Sequence, residues 1–238
     1  MRYRLLLSAS IAALTAAAWI ALWTMGAAAH AQMHHHHHHG AASGGAAPLP
    51  AMLGFVVGWT LMTIAMMLPT SLPILATFAT LARDRVDRTR LVALVVIGYL
   101  LTWTLFGVVV WLGQQALPRL AIGGSMILLL AGVYQFTPLK HRCLEKCRSP
   151  LSFVIEHWQG RHDRWQAFRL GVDHGLFCVG CCWTLMLLMF VVGMTNLAWM
   201  FALGAVMAIE KNTHIGRRIS APVGVVLLAW GAATLLSF

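Results

Sequence analysis

Seven apolar runs follow one another along this 238-residue chain, at residues 5–29, 52–82, 91–113, 121–139, 171–193, 197–209 and 219–238. A helix needs about 20 apolar residues to cross the hydrocarbon of a bilayer; of the seven, the run at 197–209 is the short one. Charged residues make up 10% of the chain and hydrophobic ones 59%, with a mean hydropathy of +0.74. That is too little charge to cover a water-facing surface. The sequence therefore predicts an all-α integral membrane protein with about seven transmembrane helices.

The net charge of +10 raises the question of a nucleic-acid partner, and the placement of the charge answers it. Arg2, Arg4, Arg83, Arg85, Arg88, Arg90, Lys140, Arg142, Lys146, Arg148, Arg161, Arg164, Arg169, Lys211, Arg217 and Arg218 share one compartment if the spans alternate, and of the 17 basic residues Arg119 alone falls in the other. By the positive-inside rule the N-terminus is in, the C-terminus is out, and the basic excess is a topology signal. The expected partner is the lipid bilayer, with no nucleic acid, and the expected location is a bacterial inner (cytoplasmic) membrane, crossed many times.

Arg2, Arg4, an apolar stretch and Ala29-His30-Ala31 have the layout of a cleavable signal. The apolar run exceeds the roughly 7–15 residues of a signal core, which favours an uncleaved anchor. The following outer loop carries His34, His35, His36, His37, His38 and His39 and then a Gly/Ala/Ser/Pro tether. Imidazole binds Cu(II), Ni(II) or Zn(II), and a flexible tract can offer several ligands at once. Six is also the customary length of an affinity tag, so composition leaves both origins open. The chain thus divides into residues 1–50, an anchor helix with a histidine-rich outer loop, and residues 51–238, a six-helix membrane domain with a cysteine-rich metal site.

All 5 cysteines fall in two clusters, Cys143/Cys147 and Cys178/Cys181/Cys182. Cys143 and Cys147 are one helical turn apart, so in a helix their sulfurs face the same way. Lys140, Arg142, Lys146 and Arg148 flank them, which should favour the metal-binding thiolate. His174, Cys178 and Cys181 or Cys182 advance in steps of 4 and then 3 or 4, placing an imidazole and two or three sulfurs on one helix face, and Met186 extends the stripe. Gly171, Gly175 and Gly180 leave room for a second backbone to approach. Between the clusters, residues 152–167 alternate aromatic and basic side chains, with Val154, Trp158 and Trp165 on one side, as in a helix lying in the membrane surface on the cytoplasmic side. His157 and His162 on it read as ordinary interfacial side chains.

The second run contains Met62, Met66 and Met67, followed by Pro69 and Pro73, which must kink or break the helix. Met62, Met66, Met67 and Met186 are second-rank ligand candidates, because buried methionine is more often packing. Glu210 and Lys211 read most simply as a local ion pair.

The stretches 65–69 (Ala-Met-Met-Leu-Pro), 132–140 with Cys143 and Cys147, 174–183 from His174 to Trp183, 196–200 and Glu210-Lys211 resemble the DUF2182 family of predicted metal-binding integral membrane proteins, sometimes labelled copper chaperones. The resemblance runs from about residue 52 to the end and implies a metal, without a mechanism. Family members commonly carry a methionine- or histidine-rich loop after the first helix, which is compatible with a native histidine tract.

Two functions follow. Thiolate, thioether and imidazole ligands select Cu(I), with zinc next, so the first is a membrane protein binding copper through Cys143, Cys147, His174, Cys178, Cys181 and Cys182 at the cytoplasmic face, for trafficking, delivery or homeostasis, with a metal-donating or metal-accepting protein as partner. The second is a membrane thiol–disulfide oxidoreductase using Cys178/Cys181 and Cys143/Cys147, opposed by the cytoplasmic placement of the thiols. No nucleotide loop, serine triad or paired-carboxylate site is present, which weighs against an enzyme.

Overall fold

The computed structural model describes residues 2–35, 49–116, 124–159, 163–193, 196–213 and 215–236, and among these the chain is helical, with no strand. The helices are α1 (Arg2–His35), α2 (Leu49–Met66), α3 (Leu72–Leu81), α4 (Arg88–Ala116), α5 (Gly124–Tyr134), α6 (Pro138–Arg148), α7 (Pro150–His157), α8 (Asp163–Leu187), α9 (Met189–Val192), α10 (Leu197–Asn212) and α11 (Gly216–Leu236). Among the described residues five segments are long and apolar enough to cross a membrane: Tyr3–Gly26, Leu49–Met66, Arg88–Gln115, Asp163–Val192 and Arg218–Leu236. The other two expected spans correspond to shorter helices, the 11-residue α5 and the 16-residue α10. α1 continues through His35, beyond the end of its apolar run.

The second apolar run breaks where its prolines require. α2 ends at Met66, a 3-10 turn covers Pro69–Ser71, and α3 starts at Leu72. Proline has no N–H to continue the helical ladder, so carbonyls are freed. The Met67 carbonyl is met instead by the hydroxyls of Thr70 (2.8 Å), Ser71 (3.4 Å) and Tyr99 (3.4 Å).

α8 is the central helix, packed on α4, α6, α5 and α10. Its contact with α4 depends on two glycines. A Cβ on Gly171 would strike the Val95 carbonyl, and one on Gly98 would strike the Phe168 carbonyl, so the two backbones meet at a distance that only glycine permits. α5 pairs with α11 with leucine side chains seated over glycines, Leu228 on Gly132 and Leu129 on Gly231. α1 lies along α2 and α3, with Arg4 donating to the Thr80 hydroxyl at 2.9 Å and the Arg88 guanidinium 3.5 Å above the Tyr3 ring.

The surface helix expected over residues 152–167 is shorter and is two elements. α7 stops at His157, and Arg164 and Trp165 belong to the first turn of α8. Val154 is buried and Trp158 packs edge-on against Phe78 at 5.0 Å, whereas Trp165 is exposed and stacks on Phe168. One apolar stripe therefore serves two packing partners. His157 donates from Nδ1 to the Phe153 carbonyl at 2.8 Å and its Nε2 lies 3.8 Å from Asp173, while His162 lies outside the described residues.

Candidate metal centre

On α8 the candidate ligands point inward. His174, Cys178, Cys181, Cys182 and Met186 are all buried. Cys178 is the sixteenth residue of the helix, about 22 Å of rise from its start.

α6 brings the second pair of thiols to this face. Thr137 caps α6 by accepting from the Lys140 N–H, and Pro138 follows at the first helical position, an arrangement that suits the N-terminus of a helix. The Tyr134 hydroxyl donates to the Gly180 carbonyl and so fixes the preceding turn against α8. Gly180 has no side chain because Cys143 occupies the space: a Cβ there would stand 2.6 Å from Cys143 Sγ. Cys147 Sγ lies 4.0 Å from Cys181 Sγ, and Cys181 Sγ lies 3.3 Å from Cys182 Sγ. Two clusters separated by a 30-residue stretch of sequence thus form one sulfur surface between α6 and α8.

Cys178 is directed at α10 and α4. Its sulfur is 2.9 Å from Lys211 Nζ of α10, which donates to it, and 3.1 Å from the Tyr99 hydroxyl of α4. Cys181, whose sulfur meets Cys147 of α6, donates to the Cys178 carbonyl at 3.2 Å. His174 stacks on Tyr99 at 5.3 Å and meets the Ser71 hydroxyl through Nε2 at 3.1 Å, and its buried Nδ1 has no partner.

Among the described residues no group of three or more Cys, His, Asp or Glu side chains stands ready-made around a metal position. The donor set nevertheless suits a soft ion. Metal–thiolate bonds of about 2.3 Å put two sulfurs of a tetrahedral site about 3.8 Å apart, and the spacings of 4.0 and 3.3 Å at Cys181 bracket that value. Met67 approaches the same region through Lys211, and Met62, Met66 and Met186 are buried in the surrounding core. His34 and His35 end α1, and residues 36–39 lie outside the described residues.

Two expectations are corrected here. The basic flank of α6 does not activate Cys143, and three of its four charges are used elsewhere. Lys140 binds the Glu210 carboxylate at 2.8 Å, Lys146 binds Glu156 at 2.8 Å, and Arg148 donates to the Thr213 carbonyl at 2.8 Å. Burial, aided by the neighbouring Cys147, instead pushes the Cys143 thiol above its ordinary pKa, while Glu156 is held below the usual carboxylate value by Lys146. Glu210 and Lys211 do not pair with each other either. Adjacent helical residues point about 100° apart, so Glu210 is buried against Lys140, Gln135's partner, and the Ser220 hydroxyl (2.8 Å), while Lys211 reaches Cys178. Tyr99, Thr70, Ser71, Lys140 and Lys211 are site residues that motif reading missed. The signal available for the two charges, Lys140 and Lys211, was their position at the ends of apolar runs.

A family model described as PpoB2, copper chaperone, matches residues 56–234. The chain belongs to this family. No curated protein and no solved structure matches it. The matched part of this PpoB2-family chain holds every cysteine together with His174, Tyr99 and Lys211, and begins after α1 and the histidine run.

Proposed function

We propose that this PpoB2-family protein is a multi-pass protein of the bacterial cytoplasmic membrane that binds about one Cu(I) per chain through its buried thiols and passes it to or from a partner protein. The observation that carries this reading is the sulfur surface at which Cys147, Cys181 and Cys182 meet, 4.0 and 3.3 Å apart, with Cys143 against Gly180. Thiolate and thioether donors favour Cu(I), and Zn(II) is the next candidate for a mixed Cys/His set. The copper-chaperone description of the family supports the same metal.

The basic residues supply the orientation, with the N-terminus and the thiols at the cytoplasmic side, where thiols stay reduced. The histidine run of the outer loop is a weak collector: its chain must be ordered before it can chelate, whereas the thiols are already held on helices. X-ray absorption at the copper edge tests the assignment. Two or three sulfur neighbours at about 2.3 Å are expected in chains loaded with one equivalent of Cu(I). A shell made of nitrogen alone would remove the thiols from the reading.

A further inference from the structure

Lys211 is an anomaly in this bundle. Its ammonium is buried, and among the described residues it makes no ion pair with a carboxylate, unlike Lys140, whose ammonium holds Glu210. What surrounds Lys211 Nζ is Cys178 Sγ at 2.9 Å, Thr70 Oγ1 at 3.3 Å and Met67 Sδ at 3.6 Å. An ammonium has only donors, so two sulfur atoms and an oxygen all face it as acceptors. A cysteine sulfur, a thioether and a hydroxyl converging on one basic side chain make a seat for a monovalent cation, and two of the three donors are soft.

We propose that Cys178 and Met67 form a two-sulfur seat for Cu(I), and that Lys211 is its built-in placeholder, holding the seat with its own positive charge until the metal displaces it. The proposal rests on the reading of the thiols as a copper site and deepens it: the seat faces α10 one helical turn from Cys182, and the single Cu(I) enters it from the neighbouring thiols. The ammonium–sulfur hydrogen bond breaks and its proton leaves with the Lys211 nitrogen, Cu–S bonds form to Cys178 as thiolate and to Met67, and at the seat one positive charge replaces another. An unpaired charge buried away from water is costly, and this exchange avoids one in both states.

The released side chain has a destination. Lys211 lies in the last turn of α10, where the partial negative charge of the helix end favours a cation, as the Arg148 guanidinium on the Glu210 and Thr213 carbonyls already shows. Its four-carbon stem is flexible enough to swing there. The break after Met66 contributes as well: it releases Met67 and Thr70 from a regular helix and turns both toward α10.

The sign of one substitution tests the idea. Lys211→Leu removes the competitor with an apolar side chain that brings no metal donor, so Cu(I) affinity, measured in detergent by competition with a chromophoric Cu(I) chelator, should rise about tenfold or more. Lys211→Arg should stay near the native value, and adding Cys178→Ser to Lys211→Leu should cancel the gain. Unchanged or weaker binding by Lys211→Leu, in a protein whose copper still depends on its cysteines, overturns the placeholder and leaves the thiol site standing. A native chain that takes up no Cu(I) through any cysteine overturns both. A measurement on the native chain guards against misfolding of the variants. With methyl-labelled methionine and Ag(I) as the probe, the Met67 methyl resonance should move, and a resonance unaffected at saturation contradicts the seat.

Discussion

At the scale of single residues, the most demanding feature is the buried Lys140–Glu210 pair, with both side chains fully enclosed and the Ser220 hydroxyl completing the carboxylate's contacts. Removing one member leaves the other charge uncompensated, which costs about 3–5 kcal/mol, whereas replacing both by apolar residues of similar volume is often neutral. Glu210→Gln should therefore lower the thermal unfolding temperature in detergent strongly, and Lys140→Met combined with Glu210→Met should recover most of the loss. The Cys143 thiol gives a pH signature. Its pKa is raised by burial, so the neutral thiol is the form that the fold favours. The stability linked to it is complete below the ordinary thiol value and is lost as pH climbs through the higher folded value. Alkylation of Cys143, followed by mass spectrometry, should accordingly have its pH midpoint above that of free cysteine. The thiols were legible from sequence because cysteine spacing maps directly onto a helix face. The partners of Glu210 and Lys211 were only half legible: helical geometry already separates neighbours onto different faces, but which distant side chains wait there depends on tertiary packing.

At the scale of elements, the close crossing of α4 and α8 decides whether the site exists, because it brings Tyr99 to Cys178 and His174. Gly171→Ala would push a methyl group into the Val95 carbonyl, and backbone offers no flexible end to give way. Overpacking of this kind costs about 1–3 kcal/mol, so the variant should unfold at lower temperature. Gly58→Ala, where a Cβ meets nothing within 4 Å, should be neutral or slightly stabilising. The break at Pro69 and Pro73 was readable because proline acts through its own covalent structure. The extent of the surface helix was not. Its stripe of Val154, Trp158 and Trp165 continues across Gly160, and hydrophobic spacing alone does not reveal that the two sides of that glycine belong to different helices.

At the scale of the whole molecule, composition predicted a helical bundle, and the described chain is helical with five segments apolar and long enough to cross a membrane. Two of the seven expected spans fall on shorter helices, α5 and α10, since hydropathy registers apolar length and is blind to where a helix starts and stops. The proposed orientation predicts that an impermeant thiol reagent added to intact cells leaves Cys147 unmodified and reaches it once the membrane is opened. Labelling in intact cells would reverse the orientation. The central claim, a copper site made of buried thiols, is tested most directly by the Cu(I) bound per chain after purification without a histidine-affinity step. The native chain and a chain lacking residues 34–39 should each hold about one tightly bound Cu(I), and Cys178→Ser with Cys182→Ser should hold none. Copper retained by the double serine variant and lost with the histidines would contradict it.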